Sequence, residues 1–212
     1  MTAQSNYLAG KRTEIHPYKT REGGATVTVF VPYNCLNNCP FCINKAEYEN
    51  PEGFSADKIC ESIRRMDAIT PYCDFVFTGG EPFADLNVLQ QMLDEIPKTH
   101  KVYINTTLPV SKFQTEDDIV RFTEKNKDKI TCINVSRHMQ HYVVESNDGL
   151  LKRLAVPFRI NCVLYKDYPN QDMIPYLERF RLIPGASIQF RFDYTETTPE
   201  NLYETEHDKI LG

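Results

Sequence analysis

The stretch NCLNNCPFC, Asn34 to Cys42, places three of the chain's seven cysteines within nine positions. Cys35, Cys39 and Cys42 have the spacing C-x-x-x-C-x-x-C. Thiolates are metal ligands and redox groups, so a cluster of this kind in a reducing compartment points to metal binding or redox chemistry. Three thiolates can bind zinc with a fourth ligand from elsewhere, or hold three irons of a four-iron cluster and leave the fourth iron open. No histidine stands at a short zinc-module distance and no second C-x-x-C pair exists, which makes a structural zinc site the weaker reading. The other cysteines, Cys60, Cys73, Cys132 and Cys162, are scattered and read as small buried hydrophobes rather than a disulfide framework.

A second stretch, TGGEP at Thr78–Pro82, combines a Gly-Gly turn with an acidic residue. Taken alone it is a turn. Both stretches follow strand-like segments, and the segments recur along the chain. ATVTVFVPY (Ala25–Tyr33) is rich in β-branched residues and ends at the cysteine loop. SADKICESIRRM reads as a helix capped by Ser55, with Ile59, Ile63 and Met66 on one face. Next come strand DFVFTGG (Asp74–Gly80) and helix DLNVLQQMLDEI, capped by Asp85 and closed by Pro97. Strand KVYINTT (Lys101–Thr107) precedes helix TEDDIVRFTEKN, where Thr115 and Asp118 have capping-box spacing. Strand TCINVSR (Thr131–Arg137), a helix around NDGLLKRL, strand FRINCVLY (Phe158–Tyr165), helix MIPYLERFRL with Pro175 in its first turn, and strand SIQFRFDY (Ser187–Tyr194) complete the series.

Strands alternating with helices imply right-handed parallel βαβ units, closing into a doubly wound sheet or an incomplete β/α barrel. Either architecture puts its chemistry at the carboxyl ends of the strands, where the cysteine loop and TGGEP fall. In a barrel, one parity of the strands faces the lumen. The polar parity includes Asn105, Thr107, Asn134, Ser136, Arg159, Asn161, Gln189, Arg191 and Asp193. The alternative is that these strands lie at an edge and turn that face to solvent.

CLNNCPFC and FTGGEPF together resemble the radical S-adenosylmethionine (radical SAM) superfamily, in cysteine spacing, in the aromatic before the last cysteine and in the Gly-Gly-Glu-Pro turn. The resemblance implies a partial (β/α)6 TIM-like barrel and two cofactors, a [4Fe-4S] cluster and SAM. Cys35, Cys39 and Cys42 would ligate three irons, and the amino and carboxylate groups of SAM would chelate the fourth. Reductive cleavage of the sulfonium would give methionine and a 5′-deoxyadenosyl radical that abstracts a substrate hydrogen, with flavodoxin or ferredoxin as the kind of electron donor. By the same carry-over Phe41 packs near the adenine, Gly79 and Gly80 let the backbone approach the SAM amino group, Glu81 receives that ammonium and Pro82 fixes the turn. INTT, INVS and RINCVL are similar to strands of the molybdenum-cofactor cyclase branch, which makes Asn105, Ser136 and Asn161 contacts to the SAM carboxylate and ribose. IQFRFDY is similar to that branch's sixth strand and points to Arg191 and Asp193. That branch binds a second cluster through C-terminal cysteines, and here none follows Cys162, so molybdopterin precursor synthesis is not expected. His138, close to a strand end, is the histidine placed for proton transfer.

Length and charge narrow the field further. At 212 residues with 41% hydrophobic content, one domain is expected, with a core over about residues 25–195, an N-terminal extension and an acidic C-terminal tail. A net charge of −5 argues against a nucleic-acid groove. No signal peptide or membrane span is read from the sequence, so a cytoplasmic protein is expected. The leading reading is a radical SAM enzyme acting on a small substrate, whose anionic group would meet Arg159, Arg191 and Arg137. The alternatives are a radical SAM activase or modifier of a protein or peptide, and a non-catalytic zinc or iron–sulfur module.

Overall fold

The structure, a computed structural model, describes residues 24–31, 35, 37, 39, 41–42, 55–137, 148–164 and 178–192. Its elements run β1 (Ala25–Val31), α1 (Ala56–Ile69), β2 (Cys73–Gly79), a 3-10 turn (Pro82–Ala84), α2 (Leu86–Asp94), β3 (Lys101–Thr106), α3 (Glu116–Lys125), β4 (Cys132–Ser136), α4 (Asp148–Leu151), β5 (Phe158–Leu164) and β6 (Ile188–Phe192). Of the helix expected before β6, residues 178–181 are helical and its first turn lies outside the described residues. The N-terminal extension, the acidic tail and the last two residues expected in β1 also lie outside them.

The helix starts follow local chemistry. Ser55 accepts from the Lys58 amide at 3.2 Å, and Asp85 accepts from the Asn87 and Val88 amides at 3.0 and 3.1 Å. Thr115 and Asp118 satisfy each other's backbone amides as a capping box. The helix expected around NDGLLKRL is only four residues long, in keeping with the cost of Gly149 inside it.

All adjacent strands pair in parallel, and the sheet order is β1-β2-β3-β4-β5-β6. A right-handed crossover that always steps in the same direction must place its helix on the same face every time. A doubly wound sheet needs a reversal of that direction, and none occurs here. Accordingly, one strand parity (Val29, Val31, Phe75, Phe77, Val102, Ile104, Ile133, Val135 and Ile160) joins Ile63, Leu89, Leu93, Ile119 and Leu150 of the helices in one hydrophobic core. The other parity carries the polar residues. Among the described residues no helix is long and apolar enough to cross a membrane.

Two contacts fix β2 at its ends. At the amino end His100 Nδ1 accepts from the Cys73 amide at 2.8 Å, while its Nε2 lies 2.8 Å from Asp67 Oδ1 on α1. At the carboxyl end Gly79 has φ +111°, and a Cβ there would stand 2.6 Å from the Val31 carbonyl oxygen and 2.8 Å from its nitrogen. The next amide, Gly80, donates to that same carbonyl at 3.1 Å. The Gly-Gly turn is therefore pressed against the end of β1, from which the cysteine loop departs.

Replacing Gly79 with alanine adds a clash to backbone strain, so Gly79→Ala is expected to cost about 3 kcal/mol in chemical denaturation. Gly185 also has positive φ but nothing within 4 Å of a Cβ, and Gly185→Ala should cost only about 1 kcal/mol.

Candidate functional site

The chain leaves Gly80 into Glu81, whose carboxylate is only 4% exposed. Its Oε1 accepts from the Phe83 amide at 3.0 Å and from Thr106 Oγ1 at 2.5 Å. Its Oε2 accepts from the Thr107 amide at 2.9 Å and from Thr107 Oγ1 at 2.8 Å. Burial pushes the carboxyl above the ordinary range, and the donors from Thr106, Thr107 and Phe83 pull it back. A carboxylate has about four lone-pair sites, and here all are taken by protein donors. Through these contacts Glu81, expected at the SAM ammonium, ties the TGGEP turn to the end of β3.

The cysteine loop joins the same junction. Asn37, buried, donates from Nδ2 to Thr107 Oγ1 at 3.4 Å. Asn37 also reaches Cys35, and its backbone and side-chain hydrogen bonds lower a thiol that burial has pushed up; nearby Glu81 and Cys42 push it further up. Cys35, Cys39 and Cys42 are all half-buried and outside any disulfide, and the Cys42 amide donates to the Cys39 carbonyl at 3.2 Å. A donor set made only of soft sulfur ligands suits iron–sulfur clusters or zinc. Among the described residues no group of three or more His, Cys, Asp or Glu side chains is gathered round a common point. The three thiols share one loop, pinned through Asn37, without converging on one point.

Beyond Thr107 the chain turns sharply. Leu108, fully buried, has φ +55°, and its amide donates to Thr106 Oγ1 at 2.8 Å. Arg137 is the largest fully buried side chain among the described residues. Its Nη1 donates to the carbonyls of Thr107 at 3.0 Å and Ser136 at 2.8 Å, and its Nε lies 3.9 Å from Asp148 Oδ1. Asp148 is in turn held by Arg179 through contacts of 2.5 and 2.7 Å. Arg137, expected beside a substrate anion, thus places Nη1 on two main-chain carbonyls and braces β3 against β4.

The polar parity forms ordered rows. Asn105, Asn134 and Arg159 stand opposite one another across β3, β4 and β5. Asn134 donates to Asn105 Oδ1 at 2.7 Å and accepts from Arg159 Nε and Nη2 at 3.1 and 2.9 Å. Burial first and Arg191 second pull Arg159 down to about 10. The next row is Ser136, Asn161 and Gln189. Asn134 and Asn161 are buried and Asn105, Ser136, Arg159 and Gln189 half-buried, so most of this face is not a solvent-facing edge; Arg191 is exposed. Phe41 is half-buried on the cysteine loop and Pro82 opens the 3-10 turn. His138 and Asp193 lie outside the described residues. Cys60, Cys73 and Cys162 are buried as expected, while Cys132 is half-buried, its thiol pushed up to about 11 by burial.

The sequence did not single out Asn37, Thr106 or the true place of Arg137. Asn37 sits inside the cysteine motif and the threonines directly end β3, but only their contacts across the fold reveal the junction.

The 4Fe-4S single cluster domain family matches residues 22–141, more than half of the chain. Native anSMEcpe with bound AdoMet and Kp18Cys peptide has a TM-score of 0.63 at 19% identity, over 89% of this chain and 58% of that one. Hexahistidine-tagged anSMEcpe with bound AdoMet gives 0.64 at 18%, again over 89% and 58%. Native anSMEcpe with bound AdoMet and Cp18Cys peptide gives 0.60 at 18%, over 84% and 55%. The chain thus spans a little over half the length of these structures, and the likeness is one of fold. No curated protein sequence matches it. With its cysteine loop and first four strands inside the matched region and its six parallel strands arranged as in the radical SAM partial barrel, the chain belongs to the 4Fe-4S single cluster domain family.

Proposed function

We propose that the chain is a radical SAM enzyme that abstracts a hydrogen from a small anionic substrate. The observation that carries the reading is the junction Cys35–Asn37–Thr107–Glu81, which joins a three-cysteine loop to a Gly-Gly-Glu-Pro turn in a chain of the 4Fe-4S family.

Cys35, Cys39 and Cys42 would hold the cluster, which when bound supplies one electron to the sulfonium of SAM. The residues of the chain bind and orient. The backbone of Gly80 and Glu81 is left to meet the SAM amino group because the Glu81 carboxylate is occupied. Asn105, Ser136 and Asn161 offer polar groups on the open face, and Phe41 an aromatic surface for the adenine. Arg159 and Arg191 supply positive charge on the same face, near enough that one lowers the other. His138 keeps the proton-transfer role its place near a strand end suggests, Asp193 stands with Arg191 as a candidate catalytic residue, and a flavodoxin or ferredoxin is the proposed class of electron donor. A second reading, hydrogen abstraction from a peptide, is favoured by the peptide complexes of the fold's solved relatives.

The direct test is anaerobic: iron and sulfide reconstitution, dithionite, SAM, and quantification of 5′-deoxyadenosine. Wild type is expected to form it and Cys39→Ala to fall to background; a fully loaded four-iron cluster that neither binds nor cleaves SAM overturns the reading. Arg191→Ala should abolish substrate-dependent turnover with SAM affinity unchanged. Glu81→Ala strands two buried backbone amides and is expected to cost about 3 kcal/mol in denaturation, with reduced iron and sulfide content after reconstitution.

A further inference from the structure

Asn161 on β5 and Gln189 on β6 stand directly opposite each other in the ladder, both on the polar face. The amide oxygen of each is buried with no hydrogen-bond partner. Asn161 as a whole is 5% exposed. Buried acceptors are rarely left unmade in native structures, because each gives up the hydrogen bond that water would supply. The row beneath shows that this face can satisfy itself, since Asn105, Asn134 and Arg159 bond one another there. Two adjacent carboxamides that do not are a ready-made receptor for donors from outside the chain.

The surroundings select the donor. Arg159 lies one row below and Arg191 above, so the local field is positive and an ammonium group is disfavoured. The donors must then be neutral. An extended peptide turns successive N–H groups to opposite edges, so those on one side are about 7 Å apart, against about 4.8 Å between neighbouring strands. Hydroxyls on one small carbon frame match the two acceptors more closely, and Ser136 in the same row adds a further partner.

We propose that Asn161, reassigned here from the SAM contact its strand resemblance implied, and Gln189 receive neutral hydroxyl groups of the substrate, with Gln189 as a specificity residue, and that the substrate class is a hydroxylated organic anion. This rests on the reading that Arg159 and Arg191 bind an anion.

The test is anaerobic calorimetry on cluster-loaded, SAM-bound protein with two matched pairs: ribose 5-phosphate against ethyl phosphate, and gluconate against hexanoate. In at least one pair the hydroxylated member is expected to bind wild type at least tenfold more tightly. Gln189→Leu should shrink that margin to about twofold or less while the plain anion binds as before. The ligand-side comparison needs no variant and holds even if Gln189→Leu does not fold. A margin below twofold in both wild-type pairs, with the anions still binding, overturns this proposal and leaves the anion reading standing; it is also the result expected if SAM itself fills both acceptors. A margin that survives in folded Gln189→Leu overturns the role of Gln189. Failure of all four compounds to bind overturns the anion reading and this proposal with it.

Discussion

A carboxylate almost wholly removed from water is tolerated in this fold because four donors converge on it, two of them backbone amides that cannot turn away. Removing a charge from water without such partners costs several kcal/mol, so the donors and the carboxylate depend on each other. The geometry that results is specific. Glu81 fixes the turn after β2, Thr106 and Thr107 fix the end of β3, and Asn37 carries the constraint into the cysteine loop. Arg137 extends it to β4 by binding the Thr107 carbonyl. Three segments that would otherwise be independent loops are held in one register.

The sheet around this junction has a division of labour that follows from its connectivity. Sequential strand order sends every crossover helix to one face, so the apolar parity is consumed by the core and the opposite parity is left to other uses. What occupies the open parity is partly self-satisfied and partly not. The asparagine–arginine row is closed by its own hydrogen bonds, whereas the next row toward the strand ends leaves acceptors unmade. The gradient from a closed row to an open one runs toward the end of the sheet where the cysteine loop lies.

Much of the frame could be read before any coordinates because its signals are local. Ser55, Asp85 and the Thr115–Asp118 pair act within three residues of themselves, and the strands announce themselves through β-branched runs. The cysteine and Gly-Gly-Glu-Pro motifs were legible as compact patterns. The contacts that assemble them were not, since Thr107 meets Glu81 across 26 residues and Asn37 across 70. The bracing part of Arg137 was hidden for the same reason: an arginine at a strand end suggests an anion, and only its burial shows Nη1 bound to carbonyl oxygens. The four-residue α4 contains the glycine that made a longer helix there unfavourable on propensity.

Leu108 carries a consequence for how this region can vary. Its positive φ is a conformation that glycine or asparagine adopts freely, but its side chain is wholly enclosed by the core. Glycine would relax the backbone and leave a void, asparagine would bring an amide into an apolar setting, and a β-branched residue would fill the space at a still higher backbone penalty. The position beside the junction therefore admits very few residue types, so drift in this part of the chain has to pass around Leu108 rather than through it.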